Sequence, residues 1–252
     1  MEKTKTTTAT VSTATATTTL TPSVETVGST TYSPVQQEGI KQKNFNVSKV
    51  TANASDVVLF NTPVTEESVD MAIALLSGTS GNVVYLVLKS PGGSVIDGAR
   101  LINYIKYSGK NIVTVCDNLC ASMAFQIFQV GKKRMMADKA ILMAHPASGG
   151  AQGIIENMYE LIHSIKMYVD RMDAETATRS NIPYDKFKMM VFNNIWAETP
   201  EALSLGLADG VIYLQTTGFL GKNIPEDVLT NLKKSGKFRQ DLLNVKGYVF
   251  KF

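Results

Sequence analysis

Three short stretches of this 252-residue sequence combine residue types that can do chemistry. The first is Ser90-Pro91-Gly92-Gly93-Ser94. Consecutive glycines let the backbone approach a reacting group with no Cβ in the way, so their N–H groups can point at a developing negative charge, although Pro-Gly-Gly can also be no more than a tight connection. The second is Cys120-Ala121-Ser122-Met123-Ala124, a serine where a strand turns into a helix. There it either caps the helix or stands beside free N–H groups that favour an anion. The third is Met143-Ala144-His145-Pro146, which ends in one of only two histidines. A His after a strand is either a hydrogen-bonding residue or a base.

The elements that must position these residues follow from hydrophobic pattern. Val83-Val84-Tyr85-Leu86-Val87-Leu88 reads as a strand buried on both faces, with Pro-Gly-Gly as its exit turn. Gly98 to Tyr107 has helical spacing in Ala99, Leu101, Ile102 and Ile105, so strand, glycine turn and helix make one βα unit. Carboxyl ends of parallel strands are where α/β folds place their sites. Val57-Val58-Leu59-Phe60 predicts a short strand, and Thr65 followed by Glu66 and Glu67 predicts a capped helix through Leu76. Asn111 to Cys116 predicts a second strand, Ala140 to His145 a third, and residues 154 to 179 a long helix. His163 falls on that helix among exposed positions and reads as surface. Pro183 starts a further helix, and Thr199-Pro200-Glu201 marks another helix start.

Composition bounds the remaining possibilities. The length suits one α/β domain of about 200 residues with appendages. Ten of the first twenty residues are Thr, and residues 1–45 lack apolar periodicity, so they are expected to be a disordered tail or a removable pro-segment. The folded domain is expected over residues 55–213, with 214–252 as a peripheral extension. A formal charge of +3 from 25 basic and 22 acidic residues, with no long basic run, argues against a nucleic-acid partner. Cys116 and Cys120 lack the count of a disulfide framework and the second pair of a zinc site. With no credible ligand cluster, no metal or cofactor is expected. No run reaches the roughly 18–20 apolar residues of a membrane span, and the start has no signal-peptide core, so the expected location is cytoplasmic.

In order, Ser90-Pro91-Gly92-Gly93, Ala121-Ser122-Met123-Ala124, Met143-Ala144-His145-Pro146, and Glu201-Ala202 with Gly206-Leu207-Ala208-Asp209 resemble the ClpP family of serine peptidases. The resemblance covers about residues 55 to 213 and implies a crotonase/ClpP-like α/β spiral with a protruding handle helix. It implies Ser122 as nucleophile, His145 as general base, and Gly93 and Met123 as the N–H donors of the oxyanion hole. The third triad position, usually Asp in the family, falls on Asn194. Asparagine can hold an imidazole through its amide oxygen but supplies no negative charge, which points to slow or assembly-gated turnover, or to a weak structural ring subunit. Family members form stacked rings around protein or peptide substrates, with the helix after the glycine loop as the joint, and residues 149–179 suit that part. Residues 1–54 offer no counterpart to the family's docking region for an ATPase ring, so an unfoldase partner is not expected. The Trp196 to Asp209 ending resembles that of ClpP-related head maturation proteases of tailed phages, for which the location would be the host cytoplasm or the prohead. The related acyl-CoA enzymes would need a carboxylate near the glycine turn, where Asp97 is a poor candidate.

Overall fold

The chain divides into two units, Met1–Lys41 and Gln42–Phe252. This computed structural model describes residues 47–217 and Thr230, all within the second. The expected tail over 1–45 and all but the start of the extension over 214–252 lie outside the described residues.

Strand β3 (Val84–Ser90) is the axis of the sheet. Its side chains alternate between two cores: Val84, Leu86 and Leu88 face the helices, while Val87 packs with Val113, Val115, Ile212 and Leu214 on the other face, with Tyr85 against it. The apolar run therefore is buried on both faces. On one side β3 pairs with β2 (Val57–Phe60) and on the other with β4 (Ile112–Ala121). The order continues through β5 (Lys133–Met136) and β8 (Gly210–Thr217) to β1 (Val47–Asn53), all parallel. A smaller ribbon leaves this path: β6 (Ile141–Ala144) pairs parallel with the end of β4, and β7 (Ile195–Glu198) pairs antiparallel with β6.

The switch of partner occurs at a bulge. From the Leu88/Cys116 pair to the Ser90/Cys120 pair, β3 advances two residues and β4 four. Before it β4 pairs with β5 and after it with β6. The Cys116 and Cys120 thiols that flank it are free and buried, and they donate to the carbonyls of Ile141 and Leu88. Burial, with Cys116 beside it, pushes the Cys120 thiol well up, as befits a structural rather than a reactive cysteine.

Helix α1 (Glu66–Ser77) starts at Thr65 in a reciprocal capping box with Ser68. Helix α2 (Val95–Tyr107) is capped by Ser94, whose Oγ accepts from Asp97 N. Helix α3 (Met123–Gln129) is buried along almost its whole length. Helix α4 (Ile155–Arg179) buries only Met172, Asp173, Thr176 and Ala177, all in its second half. Its first half and midpoint leave Ile155, Tyr159, Ile162 and Met167 exposed, so the helix projects as the handle that the resemblance implied. Helices α5 (Tyr184–Phe192) and α6 (Thr199–Ser204) flank β7. The architecture is the α/β spiral expected.

Two boundaries differ from the sequence reading. The sheet starts before Ser55, because β1 pairs residue for residue with β8 from Val47/Val211 to Asn53/Thr217, and β8 carries four residues past 213 into the expected extension. Thr199 occupies the first helical position and Glu198 the cap. The Thr199 hydroxyl instead donates to the carbonyls of Ala137 and Ala140.

Candidate active site

Ser122 is the single residue between β4 and α3. Its backbone stands at φ 54°, ψ −122°, a region that side-chain-bearing residues adopt only under compulsion. Its N–H donates to Met143 O at 2.8 Å, and its carbonyl accepts from Phe125 N and Gln126 N. The side chain makes no capping hydrogen bond. The turn thus spends the main chain of Ser122 on structure, and among the described residues Oγ has no hydrogen-bond partner, which removes the helix-cap reading of this serine.

Gly92 and Gly93 close against this turn from the β3 side. Gly92 has φ +93°, and a Cβ there would lie 2.7 Å from Ser122 Cβ and 2.8 Å from Met123 N. Gly93 has φ +148°, and a Cβ there would lie 2.3 Å from Val64 O. Neither position admits a side chain. Val64 N donates to Gly92 O, and Val64 O accepts from Ser94 N. Because Val64 takes both bonds to the residues flanking Gly93, the N–H of Gly93 points away from Val64. The buried Ser90 hydroxyl accepts from Gly92 N at 3.2 Å and stiffens the turn from within.

His145 follows β6 and is half-buried. Ser122 is tied by its N–H to Met143, two residues earlier on the same strand. Asn194, exposed and at φ 61°, joins α5 to β7, and its N–H donates to Val191 O. The last pair of the β6–β7 ladder is Ala144 with Ile195, so one further step sets Asn194 across from His145. The structure thus brings Ser122, Met123, Gly93 and His145 to neighbouring strand ends, with Asn194 opposite His145. Among the described residues no hydrogen bond joins the side chains of Ser122, His145 and Asn194.

The far end of α3 is held by charge. Arg134, 3% exposed, pairs with Asp209 at 2.5 Å and donates to Gln129 Oε1 at 2.8 Å. Gln129 in turn donates to Leu207 O. Arg179 Nη1 caps the carbonyls of Gln129 and Gly131 at 2.8 and 2.6 Å. Burial pushes the Asp209 carboxyl up, but the hydrogen bonds and charges of Arg134 and Arg179 outweigh it and hold the group below its ordinary range. Gln126, mid-helix, donates to Asp173, which also receives Lys188. Helix α3 is therefore clamped at its middle and end, and Ser122 is fixed at its start.

Sequence reasoning singled out the reactive side chains and missed the main-chain partners. Val64 and Met143 act through backbone groups, and their residue types carry no mark of it. Among the described residues no group of three His, Cys, Asp or Glu could hold a metal ion, and no helix is long and apolar enough to cross a membrane.

Comparison with known proteins places this geometry. The proteolytic subunit 1 of the ATP-dependent Clp protease of Synechococcus sp. (strain CC9902) is 31% identical over 131 residues, covering 51% of this chain and 66% of the relative, just under two thirds of its length. The subunit 1 of Prochlorococcus marinus (strain NATL2A) is 27% identical over 161 residues, covering 62% of this chain and 82% of the relative. The Clp protease family model matches residues 41–215, a stretch that takes in the Gly92-Gly93 turn, Ser122, His145 and Asn194, and so the chain belongs to the Clp protease family.

Proposed function

We propose that the protein is a serine endopeptidase that cleaves protein or peptide substrates through an acyl-enzyme formed on Ser122, within a self-assembled ring. In this reading His145 takes the proton of the Ser122 hydroxyl, Asn194 orients the imidazole, and the N–H groups of Gly93 and Met123 receive the oxyanion. A serine hydroxyl is a poor nucleophile until a neighbouring base takes its proton, and the acyl transition state needs donors where its charge grows. The observation that carries the proposal is Ser122 itself: a strained residue in a strand-to-helix turn, its hydroxyl spending nothing on a helix cap, between the Gly92-Gly93 turn and the strand that ends just before His145. The exposed apolar residues on the first half of α4 support self-association. The relatives are named for ATP-dependent proteases; the ATPase partner is no part of this proposal. A head maturation role rests on the Trp196–Asp209 ending alone and would be tested by incubation with phage capsid protein.

A second reading, a structural ring subunit of weak or no activity, is favoured by Asn194 in place of a carboxylate. One experiment separates the two: the purified protein is treated with a fluorophosphonate, the adduct is located by mass spectrometry, and the particle is sized. An adduct on Ser122, absent from Ser122→Ala together with peptide cleavage, supports the peptidase. A folded assembly that takes no adduct supports the structural subunit.

A further inference from the structure

We propose that Gly98 on α2 is a positioning residue for the oxyanion hole: its missing side chain is the seat of Met123, and the fit sets how the N–H groups of Met123 and Gly93 stand relative to one another. This rests on the peptidase reading above.

The two donors belong to different units. Gly93 lies in the β3–α2 turn, and Met123 opens α3 after β4. These units are already paired along β3 and β4 up to Ser90/Cys120; beyond that ladder, the fit of α2 against Met123 bears on the hole. Two further contacts lie at the donors themselves. Gly92 meets the backbone of the Ser122 turn, where a Cβ would come within 2.8 Å of Met123 N, and Gly98 meets the Met123 side chain, where a Cβ would lie 2.4 Å from Cγ, 2.5 Å from Cε and 3.0 Å from Sδ. Two contacts fix an angle as well as a separation.

Gly98 is rigidly connected to Gly93. Its N–H donates to Ser94 O at 3.0 Å, and Ser94 Oγ accepts from Asp97 N, so the first turn of α2 carries Gly93 with it. Glycine in mid-helix is otherwise a poor choice, since alanine is the better helix former. Nor can Met123 easily step aside. It is 3% exposed among fully buried Ala124, Phe125 and Ile127, and a close-packed interior leaves no empty rotamer to move into. A Cβ at 98 meets Cγ as well as the terminal methyl, so swinging the methyl does not relieve it. Either Met123 changes χ1 or α2 backs away, and each moves one donor relative to the other.

The test compares wild type, Gly98→Ala and Gly98→Ala/Met123→Ala in the assembled protein. Fluorophosphonate labelling is read as a rate at Ser122, alongside kcat and KM for a peptide. In labelling, Oγ bonds to phosphorus, the P–F bond breaks, fluoride leaves and the serine proton passes to His145, while the phosphoryl oxygen takes the oxyanion position. Gly98→Ala is expected to lower kcat and the labelling rate about tenfold, less than the 10²–10³ of a donor removed outright, with KM within about twofold. The double variant keeps the N–H at 123 and gives the new Cβ room, so it is expected to label faster than Gly98→Ala alone. Wild-type rates in Gly98→Ala, or a double variant no faster than the single one, overturn the proposal and leave the peptidase reading standing. A wild type that takes no adduct overturns both. If Gly98→Ala fails to fold, the double variant is expected to fold and label Ser122, and a double variant that folds no better also overturns the proposal.

Discussion

Asn194 stands across from His145, one step past the Ala144/Ile195 pair that ends the β6–β7 ladder. The antiparallel register brings an amide to the place where a triad needs an orienting group for the imidazole. The amide oxygen can accept the imidazole N–H but cannot stabilise an imidazolium by charge. Asn194 already sits at φ 61°, a conformation that Asn and Asp tolerate best. Asn194→Asp is therefore expected to fold normally and to raise kcat by one to two orders of magnitude, roughly a part of the 10⁴ that the opposite exchange costs in a Ser-His-Asp enzyme. Peptide turnover checks this; an unchanged or lower kcat counts against an orienting role for Asn194.

Ser122 holds its strained backbone without a glycine's freedom. Such conformations cost on the order of 1–3 kcal/mol. Ser122→Gly relieves that strain but adds freedom to the unfolded chain worth about 0.5–1 kcal/mol. The expected result is a protein more stable by about 1 kcal/mol that has lost all peptide cleavage. Urea unfolding measures the first and an activity assay the second.

Asp209 neutralises Arg134, whose side chain is 3% exposed against 33% for its partner. Asp209→Asn removes the charge while Arg134 stays buried. We expect a loss of roughly 2–3 kcal/mol, at the low side for a broken buried pair because the carboxylate is partly solvated. The pH dependence has a definite sign. The Asp209 carboxyl is held below its ordinary value, so the stability it contributes is present above the unfolded value of about 3.9 and is lost as pH falls through the folded one. Denaturant midpoints from pH 7 to pH 3 are expected to fall less steeply in Asp209→Asn than in wild type.

On α4, Ile162 and Met167 are 52% and 61% exposed. Ile162→Glu with Met167→Glu places two charges on the projecting half of the helix, away from the core residues Met172 and Ala177. Light scattering is expected to show a smaller particle with unchanged thermal stability of the subunit. A particle of unaltered size would exclude this face from the assembly.

Local signals carried much of the fold in the sequence. The unbroken apolar run of β3, the Thr65 cap and the long spacing of α4 each state their structure within a few residues. The strands that were not legible depend on partners far away. Val47–Asn53 buries only Ala52 fully and is a strand because β8 lies beside it. Lys133–Met136 opens with two cations, one of which, Arg134, is buried only because Asp209 meets it. Thr199 reads as a helix start and is one, but the donation of its hydroxyl to two carbonyls on another loop was not legible. The candidate site was proposed from residue types, Ser122 and His145, and from its glycines. Their relation was not legible, since it runs through Val64 and Met143 main chain and through a ladder register that no residue type announces.

The bulge in β4 gives the Ser122 turn its own parity. Up to Cys116 the strand answers to β3 and β5; past the bulge it answers to β6 from Leu119 and to β3 again at Cys120. Side chains alternate with a period of two, so one residue gained or lost among Asp117, Asn118 and Leu119 would leave the upstream core in place and turn the downstream count over by one. Ala121 or Met123 would then arrive where Ser122 now meets Met143. The length of that segment is thus a counter that decides which side chain is delivered to the turn.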